Sequence, residues 1–419
     1  MSHKIRILFE GWLNLPHSYG IVLSFVIIHL YKNYKNKIEF FVKEEEYYNP
    51  AWYSKQKLVY TKEYNEILQN LKKYNGEDVD LIYRQTFPYN ISVSPKNLKI
   101  PKLIFFTSEY KSLNTDYFKF RKPNVELNSY LKKYITHYSN IHFTCPSIWS
   151  DEGINQYLEN KNRCRIITHG VDTTLFYKNS SKKDFIRKKY KIKESDFVLI
   201  NVGAMTINKG ILLILETMNI LVNKIGRKDI KLILKCSADI YNCNAYFENY
   251  FMNLKKLNIF TEHDIKNLIN NHIIFINDTL DFSEINDIFN ECDLYIYPYI
   301  AEGFGLPILE ALGSGLNILV PKTGCSKEYL EDIYKNGGND FIYYVESEIV
   351  RDEKENGVKN FIKTQDILRV IFENETKIKT RKSDDAYLKL HNYLDKEYSW
   401  NKVANMTFEY INNILNFNL

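Results

Sequence analysis

A chain of 419 residues, 45% hydrophobic and 26% charged, has the material for two ordinary domains, each with its own core, and is neither a disordered nor a fibrous chain. The formal charge of +5 is too small to argue for nucleic acid as a partner. It is unevenly spread: residues 1–180 hold 25 Lys and Arg against 17 Asp and Glu, a balance that suits a peripheral membrane surface, an anionic acceptor or simply a solvated lysine-rich face.

Residues 4–10 (KIRILFE) read as a first buried strand, followed by Gly11 and a loop through His17, Ser18, Tyr19 and Gly20. The apolar run over 21–31 predicts a helix, so the loop would sit where a doubly wound α/β domain places its ligand. His17 would either contact an acceptor or cap the loop. Residues 38–43 predict a second strand, 44–76 a charged, tyrosine-rich helix with a loop, and 78–84 and 102–107 further strands. Asp78-Val79-Asp80 has the D-x-D spacing of metal-dependent transferases of another fold, but aspartates are common in the turn before a strand. Glu109 follows the 102–107 strand, as a polar site residue or as a helix cap. Residues 140–147 and 165–168 predict the last strands of this half, and His169-Gly170-Val171-Asp172 comes next. The lysine-rich stretch 179–195, with the pair Ser180-Ser181, reads as a linker.

Residues 197–203 (FVLINVG) open a second domain. They lead through Ala204 to Lys209-Gly210 and an apolar helix to about residue 222. Strands are predicted over 230–236 and 272–277, separated by a tyrosine-rich helical insert, and 281–291 predicts an amphipathic helix. The centre of this half is 292–329. An apolar run, 294–299, reads as a buried parallel strand. The turn Glu302-Gly303-Phe304-Gly305 follows it, and Leu306-Pro307 opens a helix ending near Gly313. Residues 317–321 predict the next strand, and 341–345 an edge strand.

The six cysteines show no C-x-x-C pair and read as small apolar residues of a reducing compartment, and the nine histidines show no metal spacing. No signal-peptide pattern precedes the first strand, and the most apolar segment, 21–30, is too short to span a bilayer, so the expectation is a cytoplasmic protein.

The glycines of the 302–305 turn let backbone approach a ligand, the helix start favours an anion, and Glu302 and Glu310 are placed to accept hydroxyl hydrogen bonds. Glu302-Gly303-Phe304-Gly305-Leu306-Pro307 followed by Glu310-Ala311 resembles the E-x7-E signature of retaining nucleotide-sugar glycosyltransferases of the GT-B fold, glycosyltransferase family 4. The resemblance is strong over about residues 197–330 and weaker elsewhere.

It implies two Rossmann-like α/β domains facing a cleft. The first would be 1–178, joined by a C-terminal helix, 398–419, that crosses back to it; the second would be 196–397. It implies a nucleotide-diphosphate sugar as co-substrate, no metal or other cofactor, and a glycan, lipid-linked or protein acceptor. The donor would be held by Gly20, Lys209, Glu302, Gly303, Phe304, Gly305, Leu306 and Glu310, with Lys209 on the diphosphate, Glu302 at the sugar and Glu310 at the ribose. Lys209, Glu302 and Glu109 would be the catalytic group, Glu109 standing where many relatives carry a histidine. His17, Ser18 and Tyr19 would face the acceptor. Ala204 takes the place of the family's arginine, and His169 that of the asparagine in its N-G-V-D turn. A nucleotide-sugar epimerase of the same fold, or a sugar-nucleotide-binding protein without catalysis, is the alternative.

Overall fold

The computed structural model describes residues 4–417 apart from residue 14 and residues 56–58, 95, 97, 114, 119–126, 159–162, 180–184 and 381. The chain forms two compact units. The first comprises Met1–Gly170, Arg351–Val358 and Tyr398–Leu419, and the second Val171–Val350 and Lys359–Glu397. Both are parallel-sheet, Rossmann-like α/β units.

In the first unit the strands are β1 (Ile5–Gly11), β2 (Ile38–Glu44), β3 (Lys72–Lys73), β4 (Leu81–Gln85), β5 (Lys102–Phe105), β6 (Ile141–Cys145) and β7 (Cys164–Ile166). They form one parallel sheet in the order β3-β2-β1-β4-β5-β6-β7. The chain leaves β1 toward one edge and returns on its other side at β4. The loops after β1 and β4 therefore flank the point where ligands bind in such sheets. The helix after β1 spans Ser18–Tyr34, three residues earlier than its apolar run suggests, because His17 in extended conformation caps it through Nδ1. Helices Leu127–His137 and Ile148–Asn155 were not predicted; the second owes its start to the Ser147 hydroxyl, which accepts from Ser150 N–H.

Helix Trp400–Phe417 belongs to this unit and packs on helix Ser18–Tyr34. The rings of Phe25 and Trp400 stack at 5.0 Å with an interplanar angle of 5°. His169 lies buried between Phe105 and Trp400, and burial pushes its imidazole down to about 3, which keeps it neutral. Asp80 does not stand free as a metal ligand: its carboxylate accepts from Arg6 N–H at 2.7 Å and from the Arg6 guanidinium.

In the second unit β8 (Phe197–Val202), β9 (Ile230–Lys235), β10 (Ile273–Ile276), β11 (Leu294–Ile296), β12 (Asn317–Pro321) and β13 (Ile342–Val345) form a parallel sheet in the order β10-β9-β8-β11-β12-β13. Here the order reverses between β8 and β11. Their sequences are mainly apolar, with Asn201, Lys231, Lys235 and Asn317 as the polar exceptions, because both faces are covered. Part of the expected linker is folded into this unit: helix Phe185–Lys189 starts on Glu291, whose carboxylate accepts from Ile186 and Arg187 N–H. Ser180 and Ser181 lie outside the described residues.

Two features depart from the sequence reading. A separate pair of strands, β14 (Ser347–Asp352) and β15 (Gly357–Ile362), follows β13, and its tip, 351–358, is counted with the first unit. There Tyr117 donates to the Glu355 carboxylate at 3.0 Å, and Ser112 to the Glu355 carbonyl at 2.9 Å. The cysteines are also not all small apolar residues, since Cys236 at the end of β9 and Cys243 at the start of helix Cys243–Lys256 form a disulfide. Among the described residues no helix is long and apolar enough to cross a membrane.

A Cβ on Gly170 would lie 2.6 Å from Trp400 N, against backbone that cannot yield. Gly170→Ala should cost the first unit about 1–3 kcal/mol. All four tryptophans, Trp12, Trp52, Trp149 and Trp400, lie in that unit, so urea unfolding followed by tryptophan fluorescence reads it directly. An unchanged midpoint would show that the contact yields without cost.

Candidate functional site

In the second unit the loops after β8 and β11 meet at the reversal of strand order. The first ends in a 3-10 turn, Ile207–Lys209, and Gly210. Gly210 has φ +76°, and a Cβ there would lie 2.1 Å from the Pro298 carbonyl oxygen, so only glycine allows this approach. Asn208 joins the loops: its carbonyl accepts from Ile300 N–H at 2.7 Å and Ala301 N–H at 3.2 Å, and its amide donates to the Ala301 carbonyl at 3.0 Å. Met205, at φ +59°, gives its carbonyl to the Tyr250 hydroxyl at 2.6 Å.

This clamp brings Lys209 Nζ to 2.6 Å from Glu302 Oε2, with side chains only 14% and 13% exposed. Glu302 also accepts from the Tyr297 hydroxyl and, at 3.0 Å, from Gly303 N–H. Burial opposes its charge, but the Lys209 ammonium and these donors prevail and hold the carboxyl below its ordinary range. Glu302 is therefore an anion in a dry setting, fixed at both oxygens.

Phe304 points inward: its ring stacks on Tyr329 at 4.7 Å, and its carbonyl accepts from the Tyr329 hydroxyl at 2.8 Å. Gly305, at φ +89°, is the N-cap of helix Leu306–Gly313, with Pro307 in its first turn. Glu310 lies one turn into that helix, partly buried, and among the described residues its carboxylate has no hydrogen-bond or ion-pair partner. Burial pushes its carboxyl up to about 8. The hydroxyl of Tyr295 is raised by burial and then by the charges of Glu310 and Glu302.

The structure thus gathers Lys209, Glu302, Gly303, Phe304, Gly305, Leu306 and Glu310 within the second unit. His17, Ser18, Tyr19, Gly20 and Glu109 belong to the first. There His17 and Ser18 open helix Ser18–Tyr34, and Gly20 is in its first turn. Tyr19 is half-buried, its hydroxyl 2.9 Å from that of Tyr89 and its carbonyl accepting from Gln85 on β4. Glu109 accepts from Trp149 through its backbone carbonyl, and the hydroxyls of Tyr19, Tyr89 and Tyr117 are raised chiefly by burial, with a smaller contribution from the Glu109 charge. Sequence reasoning missed Tyr297, Asn208 and Tyr250, which hold the loops in place. Tyr297, five residues before Glu302 in the same aromatic run, carried the one visible signal.

Glu310 gives a signed prediction. Its folded-state carboxyl stands near 8 against an ordinary 4.5, so below about pH 4.5 both states are protonated and burial costs nothing. Between 4.5 and 8 the unfolded chain ionises while the folded one does not, and the penalty grows. Glu310→Gln should therefore stabilise the second unit near pH 7–8 and leave it unchanged near pH 4–5. Urea titrations by far-ultraviolet circular dichroism at both pH values test this; an equal gain at both would refute it.

Residues 182–348 match the family described as glycosyl transferases group 1. The O-antigen chain mannosyltransferase RfbU of Salmonella typhimurium is 25% identical over 156 residues, covering 36% of this chain and 37% of that protein. The chain thus matches well under half the length of that relative. Among solved structures, a glycosyltransferase from Rickettsia africae superposes with a TM-score of 0.64 at 15% identity, covering 99% of each chain. HepE of Anabaena, solved in complex with UDP and glucose, superposes with a TM-score of 0.61 at 13% identity, covering 98% of this chain and 100% of that one. The fold is the GT-B fold of two Rossmann-like units, shared with these solved structures, and residues 182–348 form a glycosyl transferases group 1 domain.

Proposed function

We propose that this protein transfers a sugar from a nucleotide-diphosphate sugar to an acceptor hydroxyl, with retention of anomeric configuration and without a metal ion. The observation that carries this reading is the buried Lys209–Glu302 pair at the reversal of strand order, with Glu310 one helical stretch beyond it. A nucleotide diphosphate suits this place: Lys209 supplies positive charge, the start of helix Leu306–Gly313 a favourable dipole, and Glu310 an acceptor for ribose hydroxyls. The solved HepE complex with UDP and glucose supports a nucleotide hexose as donor, and the O-antigen mannosyltransferase supports a glycan or lipid-linked acceptor.

In this mechanism Lys209 stabilises the negative charge that grows on the diphosphate as the glycosidic bond breaks. Glu302 fixes the ammonium and orients the sugar, and the leaving phosphate assists removal of the acceptor proton. Since Ala204 stands where the family has an arginine, the lysine carries a larger share of that work. On the acceptor side Glu109 and the His17-Ser18-Tyr19 turn are the polar groups of the first unit proposed to act.

A thermal-shift screen with UDP-, GDP- and ADP-sugars identifies the donor, and transfer of labelled sugar with NMR of the anomeric product tests the reaction and its stereochemistry. Isotope exchange at the sugar without transfer would favour an epimerase, and donor binding without turnover a binding protein. Lys209→Ala should lower kcat about a hundred- to a thousandfold, and adding Ala204→Arg should restore part of it. A rise in KM with kcat untouched would make the lysine a uniform binding contact and sink this mechanism.

Metal independence has its own test. Initial rates should be the same with and without added Mg²⁺ or Mn²⁺. A rate that requires either ion would return Asp78 and other carboxylates to consideration.

A further inference from the structure

Among the described residues, one grouping of three or more His, Cys, Asp or Glu ligand atoms lies mutually within 4.8 Å: Cys145, Asp151 and Cys164. It belongs to the first unit, where the function proposed above gives it no role. Cys145 ends β6 and is fully buried; Cys164 begins β7 and is partly buried. Asp151 stands in the first turn of helix Ile148–Asn155, whose start is capped by Ser147 just beyond β6.

The two sulfurs are 3.7 Å apart. In the β6–β7 ladder Phe143 faces Cys164 and Cys145 faces Ile166, so the cysteines are diagonal neighbours, two residues out of register. With strands about 4.8 Å apart and a rise of about 3.3 Å per residue, a two-residue offset separates the Cα atoms by about 8 Å, beyond the usual disulfide limit of about 7 Å. The bridged pair Cys236–Cys243, by contrast, stands at 6.6 Å. The register therefore brings the thiols together at a spacing that suits a shared ion better than a bond. Two thiolate sulfurs, each about 2.3 Å from one tetrahedral zinc, stand about 3.8 Å apart.

The third group is prepared for the same task. Asp151 Oδ1 lies 4.0 Å from Cys145 Sγ, while Oδ2 accepts from the Asn155 amide one turn along the helix. One carboxylate oxygen is thus held by an outer partner and the other faces the thiols, the arrangement that orients metal-ligating carboxylates. Two soft sulfurs and one oxygen favour zinc over magnesium or calcium.

We propose that Cys145, Cys164 and Asp151 bind one Zn²⁺, which ties the edge strand β7 to β6 and to helix Ile148–Asn155. Binding replaces the two thiol protons with two Zn–S bonds and releases those protons to solvent. Three protein ligands leave the fourth tetrahedral position to water.

The full-length protein, reduced and then loaded with Zn²⁺ or Co²⁺ alone, supplies the test. The wild type should retain one Zn²⁺ per chain through gel filtration, and its Co²⁺ form should show thiolate-to-cobalt charge-transfer absorption. Cys145→Ser and Cys164→Ser should abolish both signals, whereas Cys292→Ser should leave them intact. Asn155→Ala, which spares every ligand, should weaken Zn²⁺ binding about 10- to 100-fold. A Cys236→Ser, Cys243→Ser double variant, which removes the other dithiol that reduction frees, should keep the cobalt band, and its spectrum decides the matter even if a Cys145 or Cys164 variant fails to fold. Absence of the charge-transfer band, its survival in Cys164→Ser, or a Cys145–Cys164 disulfide in the freshly purified protein would each overturn the assignment.

Discussion

Taking an ammonium and a carboxylate out of water costs several kcal/mol per ion, and their attraction repays this only when geometry is good and the remaining polar atoms are satisfied. The Lys209–Glu302 pair meets both conditions through its surroundings. Glu302 has the ammonium and the Tyr297 hydroxyl on one oxygen and the Gly303 amide on the other. Lys209 arrives because Asn208 stitches its loop to residues 300 and 301 and because Gly210 lets that loop lie against Pro298. Tyr250 steadies the loop from behind through the Met205 carbonyl. The pair is thus the reason these small polar and glycine residues stand where they do.

Glu310 is the counterpart whose carboxylate finds no hydrogen-bond or ion-pair partner among the described residues. It sits on a helix whose other positions, Ile308, Leu309, Ala311 and Leu312, are buried against the core. A carboxylate placed there without a partner costs stability, a cost expected at a position kept for a ligand rather than for the fold. The contrast between an ionised Glu302 and a partly buried, neutral Glu310 comes from environment alone, since the residue type is the same.

In the first unit, aromatic groups take the corresponding place. Tyr19, Tyr89 and Phe87 pack around the turn after β1, and the Tyr89 hydroxyl, paired with that of Tyr19, donates to the Thr107 carbonyl after β5 and accepts from Thr107 N–H. The high tyrosine content thus serves packing and polar satisfaction together, because a phenol fills a core and closes a hydrogen bond at its edge. Glu109 stands beside this cluster and raises the tyrosine hydroxyls further.

Elements that carry their own local signal were legible in the chain. Continuous apolar runs marked the strands of both sheets except the two-residue edge strand β3, Asn317–Pro321 to the residue, and glycine, proline and glutamate in a short turn marked the candidate site around Glu302. Such signals are local: a buried strand needs apolar residues on both faces, and a tight turn needs glycine, wherever the chain goes next. Helix Leu127–His137 and the β14–β15 pair were not legible, since their polar, mixed sequences pack through one face only. Nothing local pairs Lys209 with Glu302 across 93 residues, brings Cys164 beside Cys145 across 19, or gives one glutamate a cation and leaves the other alone. Those outcomes depend on strand order and register, and hence on contacts between segments far apart in sequence. The chain by itself specified the parts and their chemistry; only the folded sheets decided which of them meet.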